Sequence, residues 1–166
     1  MPKIIVTGPE SSGKTTLCKA LSKYFHLPFS KEYAREYLDE LNRDYNQGDL
    51  LEIAKGQLNS EQNIQLLDTD LITIKIWSKY KYGSCDKWIL SEIERQKSEN
   101  RYYLLCSPDI HWQEEDQREN PHNRDELLKL YNYELLNLKY KFFLITGYGD
   151  QRLKNAIKIV DEINFQ

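Results

Sequence analysis

Cysteine is scarce in this chain: Cys18, Cys85 and Cys106 stand far apart and form no CxxC pair. An odd number at such spacing supplies neither a disulfide framework nor the paired thiolates of a structural zinc site, and suits a reducing cytoplasm. Histidine is equally rare, and His26, His111 and His122 make no HExxH or other tight ligand spacing. Chemistry on protein-bound zinc is set aside. No apolar run approaches the roughly 18 residues that a membrane helix needs. Met1-Pro2-Lys3 leads into a short apolar strand rather than a signal peptide. An excess of positive charge is missing too, since 23 Lys and Arg face 26 Asp and Glu for a formal net charge of −3. The expected partner is therefore neither nucleic acid nor an anionic membrane, although a local basic pocket for phosphates is compatible with this balance.

What is present is an ordinary globular composition, 40% hydrophobic and 30% charged over 166 residues, enough for one domain. Short β-branched or aromatic runs predict strands at 3–7, 27–30, 64–67, 102–106 and 142–145. Helical spacing of apolar residues predicts helices over 14–25, 32–41, 49–63, 71–80, 88–96 and 124–138. A last amphipathic helix carries Leu153, Ala156, Ile157, Val160 and Ile163. Strands alternating with helices argue for a single α/β domain, a three-layer α/β/α sandwich around a five-stranded parallel sheet. Residues 107–124 have the poorest periodicity and dense charge, and read as a lid segment.

The run Gly8-Pro9-Glu10-Ser11-Ser12-Gly13-Lys14-Thr15 fits GxxxxGK[ST], the P-loop, without a mismatch, between a strand and a helix. Polyphosphate requires converging backbone N–H groups, tight turns that glycine tolerates, and the positive end of a helix. Gly8, Glu10, Ser11, Ser12, Gly13, Lys14, Thr15 and Thr16 are the candidate nucleotide-binding residues. Lys14 is placed for the β- and γ-phosphates and the Thr15 hydroxyl for Mg²⁺. The guanine-reading NKxD and the DxxG of a GTPase switch are absent, so a small-molecule kinase is favoured.

Such a kinase needs a carboxylate for the acceptor hydroxyl, another near Mg²⁺, and cations for charge on the transferred group. These belong beyond the carboxyl ends of parallel strands. Glu32, at the end of the second strand, is the candidate base, with Arg35 one turn on; the alternative is a capped helix start. Asp68-Thr69-Asp70 follows the third strand, with Asp68 favoured for the metal and Asp70 for a helix cap or the substrate sugar. In the lid segment, Arg118 and Arg124 are the candidate charge-neutralising cations, and Trp112 packs the lid or stacks on a ring. Asp116 and His122 lie in the same segment. Trp77 and Trp88 read more readily as core than as ligand platforms. Residues 147–152 are placed against adenine by position alone.

Taken in order, GPESSGKTTL, KEYAREYL, LDTDLITIKIW and DIHWQEEDQRENPHNR resemble the ribosylnicotinamide kinase domain of NadR-type proteins. They resemble equally its stand-alone relatives among AAA-like P-loop ATPases and kinases. The resemblance runs from Ile4 to about Val160. It implies ATP- and Mg²⁺-dependent phosphorylation of the 5′-hydroxyl of nicotinamide riboside to nicotinamide mononucleotide. Lys14, Glu32, Arg118 and Arg124 would act in catalysis. Glu32, Arg35, Gln57, Asp70 and Trp112 would meet the substrate, and Thr15 and Asp68 the metal. The sequence departs from the family at Lys31, where NadR-type kinases often carry tryptophan, and it has no adenylyltransferase signature. A second expectation is another nucleoside or nucleoside monophosphate as acceptor, and a third is an ATP-binding regulatory module.

Overall fold

A computed structural model describes residues 1–109 and 123–164. The expectations for Trp112, Asp116, Arg118 and His122 fall outside these residues. The chain begins with strand β1 (Lys3–Thr7), helix α1 (Lys14–Phe25), β2 (Phe29–Ser30), α2 (Tyr33–Glu40), α3 (Gln47–Ser60) and β3 (Leu66–Asp68). It continues with α4 (Leu71–Tyr82), α5 (Lys87–Gln96), β4 (Arg101–Cys106), α6 (Arg124–Asn137), β5 (Lys141–Ile145) and α7 (Gly149–Asn164). The five strands pair in parallel in the order β2-β3-β1-β4-β5. β1 is central and the chain winds outward from it in both directions, which opens a crevice at the carboxyl ends of β1, β3 and β4.

Alternation along the strands builds a core on each face. Ile4, Val6, Leu66, Leu104 and Cys106 meet Leu17, Cys18 and Leu21 of α1 and Ala156 and Val160 of α7. Ile5, Leu67, Tyr103 and Leu105 meet Ile72 and Ile76 of α4 and Leu127, Tyr131 and Leu135 of α6. A third cluster joins α2, α3, α4 and α5 through Ala34, Leu50, Ile53, Leu71, Ile74, Ile89 and Ile93, with Trp88 packed against it as expected. All three cysteines are free. Among the described residues no helix is long and apolar enough to cross a membrane.

Of the boundaries that depart from the sequence pattern, three have a clear local reason. The second strand begins at Phe29 rather than Leu27, because the Leu27 N–H turns back to the Ser22 carbonyl and Pro28 has no N–H to give. Helix α3 starts two residues early because Asn46 and Asp49 form a reciprocal capping box. β3 is displaced to Leu66–Asp68, since the Ile64 N–H closes a turn on the Glu61 carbonyl and Asn63 is left-handed at φ 60°.

Two charge networks fix the helices beside the crevice. Asp49 accepts from Arg43 (2.7 and 2.9 Å), from the Tyr37 hydroxyl (2.7 Å) and from the Asn46 N–H (2.8 Å). These bonds, Arg43 foremost, hold its carboxyl well below the usual range although its burial acts the other way. Behind the crevice, buried Arg101 binds Asp70 at 2.9 Å, Glu99 at 2.7 Å and Glu61 at 3.4 Å, and Tyr103 donates to Asp70 at 2.7 Å. Burial opposes the Arg101 charge, but Tyr103, Asp70 and Glu61 outweigh it and raise its pKa.

Asp49→Asn should lower the melting temperature at pH 7 by about 2–4 °C, the loss of one cap in a domain of this size. Because the folded pKa lies below the unfolded one, the contribution is full at neutral pH and is lost below about pH 4. Melting curves of the two proteins should therefore converge in acid. Arg101→Met leaves buried Asp70 without its cation and Glu61 with only the Lys3 cation at 3.8 Å, and chemical denaturation should register a loss of about 3–5 kcal/mol.

Candidate active site

β1 delivers the chain to Gly8 with φ 139°, where a Cβ would lie 2.7 Å from the Cys106 carbonyl oxygen. Only glycine passes so close to the end of β4 in that conformation. Gly13, left-handed at φ 78°, precedes α1 and no side chain caps that helix. Its positive end thus opens directly into the loop. Inside the loop the Ser12 hydroxyl donates to the Pro9 carbonyl at 2.6 Å.

Cations from three helices take the loop's carbonyls. Lys14 Nζ donates to Gly8 and Pro9 at 2.8 Å each, Arg124 Nη1 to Ser11 at 3.1 Å, and Arg152 Nη2 to Ser12 at 2.7 Å. Arg152 is buried and also binds the Ser107 carbonyl, the Gly147 carbonyl and Asp109 at 2.7–3.0 Å. With carbonyls 8, 9, 11 and 12 so engaged, what the loop offers an anion is its N–H groups and, once displaced from the carbonyls, the Lys14 ammonium. Within residues 147–152, Arg152 reaches the Ser12 carbonyl of the loop. Thr16 is exposed on α1.

Asp68 ends β3 opposite Val6, and its Oδ2 accepts from the Thr15 hydroxyl at 2.7 Å. Its Oδ1 is buried and takes no hydrogen bond from the described residues. Burial, and then the negative charge of Glu32, push this carboxyl up to about 6, against the Thr15 bond, Lys14 and Arg35. An unsatisfied carboxylate oxygen beside a threonine hydroxyl is a hard oxygen set that fits Mg²⁺. Among the described residues no three His, Cys, Asp or Glu gather into a metal site, so a cation here would take its remaining ligands from phosphates and water.

Glu32 sits at the N-cap position of α2 but makes no capping bond. That role goes to Gln57, whose Oε1 accepts from the Tyr33 N–H at 3.0 Å. The Glu32 carboxylate instead pairs with Arg35 Nε at 3.4 Å and lines a solvent-open cavity together with Lys14 and the loop. The rest of that cavity is Ala34 and Leu38 of α2, Thr73, Ile76, Trp77 and Tyr80 of α4, and Leu127 and Tyr131 of α6.

Two expected substrate contacts are not at this cavity. Gln57 is buried between α2 and the Thr69 carbonyl. Asp70 is fully buried, with Oδ1 capping α4 at the Ile72 N–H and Oδ2 on Arg101 and Tyr103. Both are positioning groups, and Asp68 is the carboxylate that reaches the loop. Trp77, read as core, packs against the third cluster and also forms a cavity wall. The residues to which the sequence reading gives no role at the site are Thr73, Tyr80, Leu127 and Tyr131, and Arg152 is named only within the 147–152 stretch. The first four share the helical spacing of core residues, and for Arg152 no local pattern signalled its role.

Arg152→Leu removes the charge that holds the Ser12 and Ser107 carbonyls together. ATP affinity by calorimetry should fall about tenfold or more, as for loss of a buried charged hydrogen bond. Arg152→Lys should recover part of it.

The arrangement has counterparts. A NadR protein solved with NR is 27% identical, with a TM-score of 0.70 over 97% of this chain and 50% of that one. Another structure of NadR, with NAD and AMP-PNP, is 28% identical at a TM-score of 0.66, over 97% and 49%. This chain thus spans about half the length of those proteins. Deoxyadenosine kinase from M. mycoides, with dCMP and dCDP, shares the fold at 14% identity and a TM-score of 0.65, over 98% and 100%. Shikimate kinase from Acinetobacter baumannii, with shikimate, does so at 15% and 0.62, over 98% and 93%. No curated protein matches the sequence. The fold is that of the small P-loop kinases, and residues 3–152 match the family model described as AAA domain, so the chain belongs to that family.

Proposed function

We propose that this protein transfers the γ-phosphate of ATP to the 5′-hydroxyl of nicotinamide riboside, as a Mg²⁺-dependent, cytoplasmic kinase of pyridine-nucleotide salvage. The observation that carries this reading is the shared cavity. The Glu32 carboxylate and the Lys14 ammonium line one space together with the phosphate loop and the apolar or aromatic side chains Leu38, Ile76, Trp77 and Leu127. The similarity to NadR with NR, over 97% of this chain, supports that acceptor.

In this reading the N–H groups from Glu10 to Thr16 hold the phosphates of ATP. Lys14 leaves the Gly8 and Pro9 carbonyls to neutralise charge on the transferred group. Glu32 orients the acceptor hydroxyl and accepts its proton as the new P–O bond forms, while ADP departs. Arg35 holds Glu32 in place, and Arg124, already on the Ser11 carbonyl, lies beside the developing charge. Arg118 and Trp112 would join from the segment after β4. Thr15 and Asp68 would hold Mg²⁺, which supplies charge neutralisation between the donor phosphates. Lys31 is exposed and does not line the cavity, so it does not oppose a cationic ring there.

Incubation with ATP, Mg²⁺ and nicotinamide riboside should yield the mononucleotide by mass spectrometry. Glu32→Gln should cut kcat about 10²-fold or more while ATP still binds. A higher kcat/KM for deoxyadenosine, thymidine or cytidine would replace this acceptor, and no transfer to any of them would end the kinase reading.

A further inference from the structure

We propose that Trp77 is the wall of the acceptor cavity that reads a flat aromatic ring, and that Tyr45 is the positioning residue that holds it there. The inference rests on the kinase reading above and adds to it the side chain that reads the acceptor's ring and the one that holds that side chain in place.

Helix α4 turns Thr73, Ile76, Trp77 and Tyr80 toward the cavity at helical spacing. The two hydroxyls deepest in this wall are occupied with each other, since Tyr131 donates to Thr73 at 3.2 Å and Thr73 is 3.2 Å from the Thr7 hydroxyl. The single polar atom of Trp77 is occupied as well. Its indole N–H donates to the Tyr45 hydroxyl at 2.9 Å, and the Tyr45 ring packs edge-on at 5.0 Å. Tyr45 belongs to the segment between α2 and α3 and does not line the cavity. It is fixed in turn by Lys81, whose ammonium donates to the same hydroxyl at 2.6 Å. The indole N–H is therefore held on the side of the Tyr45 loop, and Trp77 offers the cavity carbon and π surface without a hydrogen-bond donor. Ala34, Leu38, Ile76 and Leu127 continue that apolar lining.

The cavity is thus divided by chemistry. Charged groups (Lys14, Glu32 and Arg35) stand at the loop end, and hydrocarbon with π faces stands at the other. A polar acceptor such as a hydroxy acid would leave its groups unpaired against Trp77. A planar ring joined to a hydroxyl-bearing sugar satisfies both ends, because stacking asks for a π surface and no particular donor.

The test uses the full chain and three variants that retain apolar volume: Trp77→Phe, Trp77→Leu and Tyr45→Phe. Trp77→Leu should raise KM for nicotinamide riboside about tenfold or more, the scale of one lost stacking contact. ATP affinity by calorimetry should be retained, and Trp77→Phe should restore most of the KM. Tyr45→Phe, which frees the indole, should raise KM several-fold with kcat kept. Nicotinamide riboside without ATP should quench indole fluorescence in the parent protein and not in Trp77→Phe. Equal KM values for Trp77→Leu, Trp77→Phe and the parent would overturn the inference while transfer itself leaves the kinase reading standing. Quenching that depends on Trp77 with no transfer to any acceptor would keep the ring-reading wall and remove the kinase reading.

Discussion

A loop that binds polyphosphate must keep its carbonyl oxygens away from the anion, and the rest of this structure is organised around that constraint. Four carbonyls between Gly8 and Ser12 are held by Lys14, Arg124 and Arg152, which come from α1, α6 and α7. Peptide groups have two ends, so fixing the Pro9, Ser11 and Ser12 oxygens on these cations sets the direction of the Glu10, Ser12 and Gly13 N–H groups. Arg152 stands 140 residues from Ser12 in the chain. The anion site is therefore not a local motif that works alone; it is completed by the last helix.

The acidic side follows a similar logic. Asp68 is kept in a buried place that disfavours its charge, with one oxygen on Thr15 and the other without a partner among the described residues. It is held there by the turn behind it: Thr69, left-handed at φ 67°, donates its N–H to the Val6 carbonyl, and Asp70 is anchored by Arg101 and Tyr103. Two aspartates separated by one residue thus take opposite roles. The first faces the loop, with its desolvation only partly relieved by Thr15, Lys14 and Arg35. The second has its charge neutralised and serves the fold.

Much of this was legible in the sequence because it follows from strong periodic signals. The parallel sheet, the P-loop and the placement of Glu32 and Asp68 at strand ends all rest on short apolar runs ended by glycine or acid. The misplaced boundaries at Leu27, Asp49 and Ile64 come from capping and turn bonds that outweigh side-chain pattern. The family resemblance puts Gln57 at the substrate and the position after the third strand puts Asp70 there, whereas both are buried away from the cavity. Trp77 shows the opposite limit. A cavity wall and a core face use the same helical spacing of apolar residues, and only the packing of α2, α4 and α6 tells them apart. Arg152 lay beyond sequence reasoning, since its partners are backbone oxygens brought together by the sheet.

Gln57 carries one more implication. A primary amide has a carbonyl end and an amino end, and here each is committed: the first receives the opening N–H of α2, and the second reaches the Thr69 carbonyl at 3.4 Å. The Glu32 side and the Asp68 side of the crevice are thereby yoked through a single planar group that cannot rotate without releasing both. A shift of α2 must be shared by the turn after β3 or be resisted by it. The donor and acceptor halves of the crevice are mechanically one part, and neither can be retuned in isolation.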